Sequence, residues 1–203
     1  MTGVIEMAEN LQDELEAVDE PKSRGLVGDT DSIDAHGDPD DENEMLESVL
    51  SVEELEGIRW RVAEALLALR RQINAAAPDR ERKSDGTIGD DNHRKKGFTS
   101  SDHNPHVFDG PMGVVTAMDV THDPRHCDGN RLAASLHASR DPRIKYIIWD
   151  RRIANSSPVG GAPAWQWRPY GGSNPHTQHV HLSVKGDKSL YDSQKNWNVA
   201  LKG

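Results

Sequence analysis

Apolar positions at Val52, Leu55, Val62, Leu66, Leu69 and Ile73 keep helical spacing, and Ser51 followed by Glu54 forms a capping-box signature in front of them. The pattern predicts an amphipathic helix that opens the folded domain. Further along, Gly113 to Val120 is a β-branched run, Ile144 to Trp149 is an apolar run of strand length, and Trp165 to Tyr170 and Thr177 to Val184 both alternate. Each predicts a strand. Gly129 to Ser139 has helical spacing with Asp128 placed to cap it. Between Pro78 and Pro111 periodicity gives way to Gly, Asp, Asn, Lys and His, which predicts a long loop region of the kind that often carries function. The order helix, loop, strand, helix and then strands predicts an α+β domain, a small, mainly antiparallel sheet with flanking helices.

The first fifty residues break this pattern. Val4, Ala8, Leu11, Leu15 and Val18 follow a heptad seam of only about two heptads, marginal as an isolated helix. Glu20 to Glu44 has the Pro, Gly and Asp content of a flexible acidic linker. Residues 1–50 hold 16 Asp and Glu against 2 Lys and Arg and no aromatic residue, while residues 51–203 hold 18 against 22 and all ten aromatics. The net charge of −10 therefore belongs to the tail. So charged a segment without aromatics cannot easily bury enough apolar surface to order itself. Residues 1–50 are expected to be a disordered or docking arm, with a partner protein or self-association as its use, and residues 51–203 the chemical domain.

Cys127 is the single cysteine, so a disulfide framework and a cysteine-based zinc ribbon are both excluded. No run approaches the ~18 apolar residues of a membrane span, and no basic segment precedes an apolar one at the N-terminus. A chain made in the cytoplasm without a signal peptide is the expectation.

In the last predicted strand, period-2 geometry puts Thr177, His179, His181 and Ser183 on one face and Gln178, Val180 and Leu182 on the other. Two imidazoles leave a rigid element in one direction, which suits a metal because the backbone pre-orients them. Val114 to Val120 places one carboxylate, Asp119, inside an apolar strand, where an unpaired charge is costly and a cation or an arginine is needed beside it. Ser101-Asp102-His103-Asn104-Pro105 precedes that strand, and Pro105 biases Asn104 away from helix, so a constrained turn presents His103. A histidine from the turn, the aspartate and a histidine from the last strand make a three-ligand site with an open fourth position, as catalytic zinc requires.

Ser101-x-His103, Val115-x-Ala117-x-Asp119 and His179-x-His181 resemble the metal signature of the D-Ala-D-Ala metallopeptidase, hedgehog and lysostaphin-type fold group. With Asp85-Gly86-Thr87-Ile88-Gly89-Asp90 and Ala117-Met118-Asp119-Val120-Thr121 added, the string is similar to a phage and actinobacterial branch of peptidoglycan peptidases, over roughly residues 60–185. The resemblance implies Zn2+ on His103, Asp119 and His181, with His179 near the scissile carbonyl as base or transition-state stabiliser. It also implies hydrolysis of peptide bonds in wall stems or cross-links, by an endolysin or virion-associated enzyme acting on the wall. Two departures stand out. Fifteen residues separate His103 from Asp119, more than the group usually has, so a loop around Phe108 to Met112 is expected to bulge out. Many members carry a glutamate base shortly before the last histidine, where this chain has Gln178.

Other polar residues have weaker assignments. His93 and His176 are candidates to line the cleft, His176 as a second catalytic group; Ser101, Asp102, His93, Gln178 and Arg168 are candidates to support the ligands or bind substrate. Arg151, Arg152 and Arg168 match the carboxylates of a peptide stem. His106, His122, His126 and His137 are expected at the surface, and Trp165, Trp167 and Tyr170 in sheet packing. A non-catalytic zinc-containing surface or virion module is the main alternative. An HNH-type nuclease, imitated by Asp102-His103-x-Pro105, lacks the later helix with its Asn and His, and a core charge of +4 is a weak footprint for nucleic acid.

Overall fold

The computed structural model describes residues 59–89 and 101–200. The capping box, the acidic arm and His93 lie outside them. Helix α1 is Glu64–Ala76, and its Leu66, Leu69 and Ile73 are fully buried, as their spacing requires. Val62 fits the same spacing but belongs to strand β1, Trp60–Val62. There it pairs in parallel with Val115, and Ala63 N–H extends the pairing by donating to the Val115 carbonyl. Sheet hydrogen bonds thus override a helical spacing and delay the helix to Glu64.

The remaining elements are β2 (Val107–Asp109), β3 (Met112–Val115), β4 (Ala117–Thr121), helix α2 (Gly129–Ser139), β5 (Ile144–Trp149), β6 (Arg152–Asn155), β7 (Arg168–Pro169), β8 (His179–Val184) and a one-turn helix α3 (Lys188–Tyr191). They form a three-stranded sheet, β1-β3-β2, and a five-stranded sheet, β4-β8-β5-β6-β7. All pairings but β1 with β3 are antiparallel. The fold is α+β, as the pattern predicted.

The extra residues between His103 and Asp119 form a β-hairpin where a bulging loop was expected. Gly110 and Pro111 connect β2 to β3, and Gly110 has φ 61°, the positive value that the first central residue of a type II′ turn needs. The predicted strand from Gly113 to Val120 is in fact two strands in two sheets, divided at Thr116. That residue breaks the ladder because its N–H donates to the Asp102 carbonyl while its own carbonyl accepts from Val184. The predicted strand Trp165 to Tyr170 shrinks to β7, since Trp165 sits at φ 64°. Strand β6, adjacent to β5 across a two-residue turn at Asp150 and Arg151, both at positive φ, was not predicted.

β8 lies between β4 and β5, and α2 packs on β5 and β8. Val180, Leu182 and Val184 of β8 join Leu132 and Leu136 of α2 in the core. Asp128 caps α2 by accepting from Asn130 N–H at 2.9 Å. The opposite face of β8 is left for His179, His181 and Ser183, and burying one face by core packing is what aims these side chains.

Candidate metal centre

Register decides which side chains meet. Across the antiparallel pair β4–β8, Asp119 lies opposite His181 and Thr121 opposite His179, and directly opposed residues project from the same face. The turn before β2 supplies the third group. Its shape comes from Ser101, whose carbonyl accepts from Asn104 N–H at 2.9 Å and whose hydroxyl accepts from His103 N–H at 3.3 Å. His103 Nε2 then lies 3.2 Å from His181 Nδ1 and 3.3 Å from Asp119 Oδ2, and His181 Nδ1 lies 3.0 Å from Asp119 Oδ1. Tetrahedral zinc with ligands at about 2.0–2.1 Å has ligand–ligand edges of about 3.3 Å. The separations, two of them to different oxygens of the Asp119 carboxylate, are close to that value, and the three side chains could hold a metal ion.

The segment Asp85 to Gly89 clasps this cluster. Gly86 and Asp119 exchange backbone hydrogen bonds of 2.8 and 3.3 Å, and Gly89 N–H donates to the His103 carbonyl at 2.9 Å. Asp85 accepts from Thr121 N–H and hydroxyl and is paired with Arg80, whose side chain is fully buried. The Thr87 carbonyl accepts from His103 Nδ1 at 2.8 Å. A carbonyl can only accept, so Nδ1 carries a proton and Nε2 is the nitrogen left to face the cluster.

Electrostatics fit the same picture. Burial alone would push the His103 pKa down, but the Asp119 carboxylate beside it outweighs this and raises it to about 9. Burial pushes Asp119 up, and the two histidines reverse that and hold it well below the ordinary carboxylate range. His181 is pushed down by burial despite Asp119. A cation bound at this cluster would displace the proton from His103.

His176 and His179 stand beside these ligands. The His176 ring lies edge-on to His179 at 5.0 Å and to His181 at 5.4 Å, and it packs against Tyr170. Its backbone is held at φ 49° by a hydrogen bond from its N–H to Asn174 Oδ1, and its Nδ1 donates to the Asn174 carbonyl at 2.7 Å. Nε2 is consequently the free acceptor. Burial, and next the neighbouring His181, lower its pKa to about 3, so the ring is neutral at physiological pH. His179 is nearly buried, with Nε2 3.7 Å from Asp119 Oδ2, and neither of its ring nitrogens has a hydrogen-bond partner. Asp119, His176 and His179 form a second group with metal-ligand spacing that shares its carboxylate with the first.

The other predicted residues divide. Asp102 is buried, with Lys145 Nζ and His106 Nε2 each 3.3 Å from Oδ1. It also lines a cleft of about 530 Å³ with His106, Phe108, Lys145 and Asn155. Arg168 donates to the Oδ1 of Asn155, a residue of that cleft's lining, at 2.7 Å. Gln178 is exposed and is tied to the fold by its backbone carbonyl, which accepts from His122. Of the four histidines expected at the surface only His126 is exposed. His106 faces Asp102, His122 accepts the Gly129 N–H at the start of α2, and His137 stacks on Trp167. Tyr146, unremarked in the sequence, stacks on His181 at 5.4 Å with rings 9° from parallel.

Comparison with protein-family models, with curated proteins and with solved structures returned no match. Two imidazole nitrogens and one carboxylate that meet at one point are donors that could hold a metal ion. Unpartnered buried nitrogens on His179 are the further sign that this face is built to receive something. Among the described residues no helix is long and apolar enough to cross a membrane.

Proposed function

We propose that this chain is a zinc-dependent peptidase that hydrolyses peptide bonds in the stems or cross-links of bacterial peptidoglycan. The observation that carries the proposal is the triangle of His103 Nε2, Asp119 and His181 Nδ1, with edges of 3.0 to 3.3 Å, beside a histidine whose two buried nitrogens have no hydrogen bond. The likeness of the sequence motifs to wall peptidases supplies the substrate class.

Zinc, when bound, supplies a Lewis acid that polarises a carbonyl and acidifies water. The chain's own residues do the rest. His179, whose ring nitrogens have no competing bond, takes a proton at the reacting centre and returns it to the leaving amine. His176, neutral and with Nε2 as acceptor, orients the group that His179 acts on. Asp102, His106, Lys145 and Asn155 offer charged and amide groups along the neighbouring cleft to hold the peptide.

Incubation of the purified protein with peptidoglycan, with and without a chelator, tests the reading. Chelator-sensitive release of peptides, with masses that identify the bond, is the expected outcome. Stoichiometric zinc without any release leaves the non-catalytic module as the correct reading, and cleavage of supercoiled DNA instead points to a nuclease.

A further inference from the structure

We infer that a second metal ion binds beside the first, on Asp119, His176 and His179, with the Asp119 carboxylate shared between the two positions. The effect of that ion on turnover rests on the peptidase reading above; its binding does not.

The shared carboxylate is the starting point. Asp119 turns Oδ1 to His181 Nδ1 at 3.0 Å, while its Oδ2 lies 3.3 Å from His103 Nε2 and 3.7 Å from His179 Nε2. A catalytic zinc ion takes three protein ligands and keeps one position open, and His103, Asp119 and His181 already supply three. His176 and His179 are left over. With Asp119 they bring three ligand atoms within 4.8 Å of one another. A carboxylate has an oxygen for each of two ions, and hydrolytic sites use ion pairs about 3.5–4 Å apart.

His179 has both ring nitrogens shielded from solvent and without a hydrogen bond among the described residues. Buried polar atoms are nearly always satisfied, so such an exception calls for a partner that arrives from outside. The backbone alone aims this ring: β8 carries it opposite Thr121 and two residues before His181, on the same face. His176 comes from the turn before β8, which is pinned to the β5–β6 turn. The Pro175 carbonyl accepts from Arg151 N–H at 2.8 Å, and the His176 carbonyl accepts from Asp150 N–H at 3.0 Å. Its Nδ1 is engaged by the Asn174 carbonyl at 2.7 Å, so Nε2 is the ligand atom that remains, and the ring stands edge-on to His179 at 5.0 Å.

The two positions differ in readiness. Edges of 3.0 to 3.3 Å in the first triangle are close to those of tetrahedral zinc, whereas the 3.7 Å edge between His179 and Asp119 is longer than any of them. The second group must draw together around its ion, and that ion also meets the charge of the first. It therefore fills only at higher metal concentration. Once bound, it occupies the ring that the proposed mechanism leaves to the substrate, so excess metal restrains the reaction.

The test uses the full chain and two readouts besides activity. Zinc per chain is measured by elemental analysis after equilibration at a series of buffered free zinc concentrations. Two zinc ions per chain, filled in two separate steps, are expected. His179→Ala and His176→Asn should each keep the first step and weaken the second at least about 10-fold, since even a residue that only orients a ligand costs that much. Cobalt(II) in place of zinc supplies the other readout: two ions on one carboxylate couple magnetically, so the paramagnetic resonance signal per cobalt should fall as the second ion enters. A single step that ends at one zinc per chain overturns the inference. So does a second step that both variants retain unchanged, which marks an ion adsorbed elsewhere on the chain, its acidic first fifty residues included. An undiminished cobalt signal overturns the sharing of Asp119. Should His179→Ala fail to fold, His176→Asn, which tolerates the positive φ of its position, decides alone. Release of wall peptides is expected to peak at one zinc per chain and to decline as the second step fills. Two-step binding with these losses in a protein that releases no peptide at any zinc concentration refutes the peptidase reading and upholds the second site; peptide release by a chain that takes only one zinc does the reverse.

Discussion

Two histidines of the cluster are told which nitrogen to expose by a backbone carbonyl. His103 is fixed by the Thr87 carbonyl and His176 by the Asn174 carbonyl. His179 has no such partner, and in the proposed reading it is the one that meets substrate. His103→Ala, Asp119→Ala and His181→Ala are each expected to abolish stoichiometric zinc, read by metal analysis of the purified variants. His179→Ala should keep the metal and lose about 10²–10⁴ in peptidase rate, the typical size of a general acid–base contribution. If His179→Ala loses zinc while His181→Ala keeps it, the roles of the pair are reversed. His176 gives a separate, pH-dependent expectation. Its pKa falls from 6.5 to about 3 on folding, so above pH 6.5 it is neutral in both states and has no effect on the slope. As pH drops from about 6.5 toward 3, the unfolded chain binds a proton that the folded chain refuses, and stability declines. His176→Asn, which tolerates the positive φ of this position, should flatten that decline in thermal melts of the chelator-treated protein. An unchanged slope would mean that His176 is protonated in the fold.

At the scale of elements, close packing around the start of α2 carries the sharpest demand. A Cβ on Gly129 would lie 2.6 Å from the Trp149 ring. That ring cannot retreat, because it is buried, its Nε1 donates to Asn130 Oδ1 at 3.0 Å, and His122 packs on it at 5.2 Å. Gly129→Ala is expected to destabilise the domain by about 1–3 kcal/mol, the usual cost of overpacking, visible as a Tm several degrees lower. A melting temperature equal to wild type would show that the Trp149 pocket is looser than its contacts imply. The hairpin β2–β3 belongs to this scale too. Its turn signal, Gly110-Pro111, was present in the sequence, but without a partner strand in view the residues around it read as loop. β1 supplied that partner from more than forty residues upstream.

For the whole molecule, charge and hydropathy separate an acidic segment from a domain that closes on itself. The C-terminal segment is held on the domain by Arg143, whose guanidinium lies 3.8 Å from the Trp197 ring centre and donates to the carbonyls of Ser193 and Lys195. Trp197 in turn donates to the Ala65 carbonyl of α1 at 2.8 Å. Deleting residues 1–50 is expected to leave Tm and activity on soluble wall peptides close to those of the full chain, because that segment has no aromatic residue with which to build a core. A large fall in Tm for the shortened protein would show that the arm contributes to the folded domain.

The resemblance of the motifs chose His181 from the pair on β8, whereas the α+β class, the core face of β8 and the candidacy of His103, Asp119 and the two outward histidines of β8 were legible in the chain itself. Those follow from local rules: alternation sends Val180 and Leu182 inward, an isolated carboxylate in an apolar strand demands a partner, and a proline-bounded turn presents a histidine. Tertiary structure alone decided the register that sets Asp119 opposite His181, the division of one apolar run between two sheets, and the contacts that orient each ring. Thr87, Asn174, Ser183 and Asp102 are ordinary polar residues until the fold sets them beside a histidine, because a hydrogen bond depends on where two groups meet in space and not on how either is spaced along the chain.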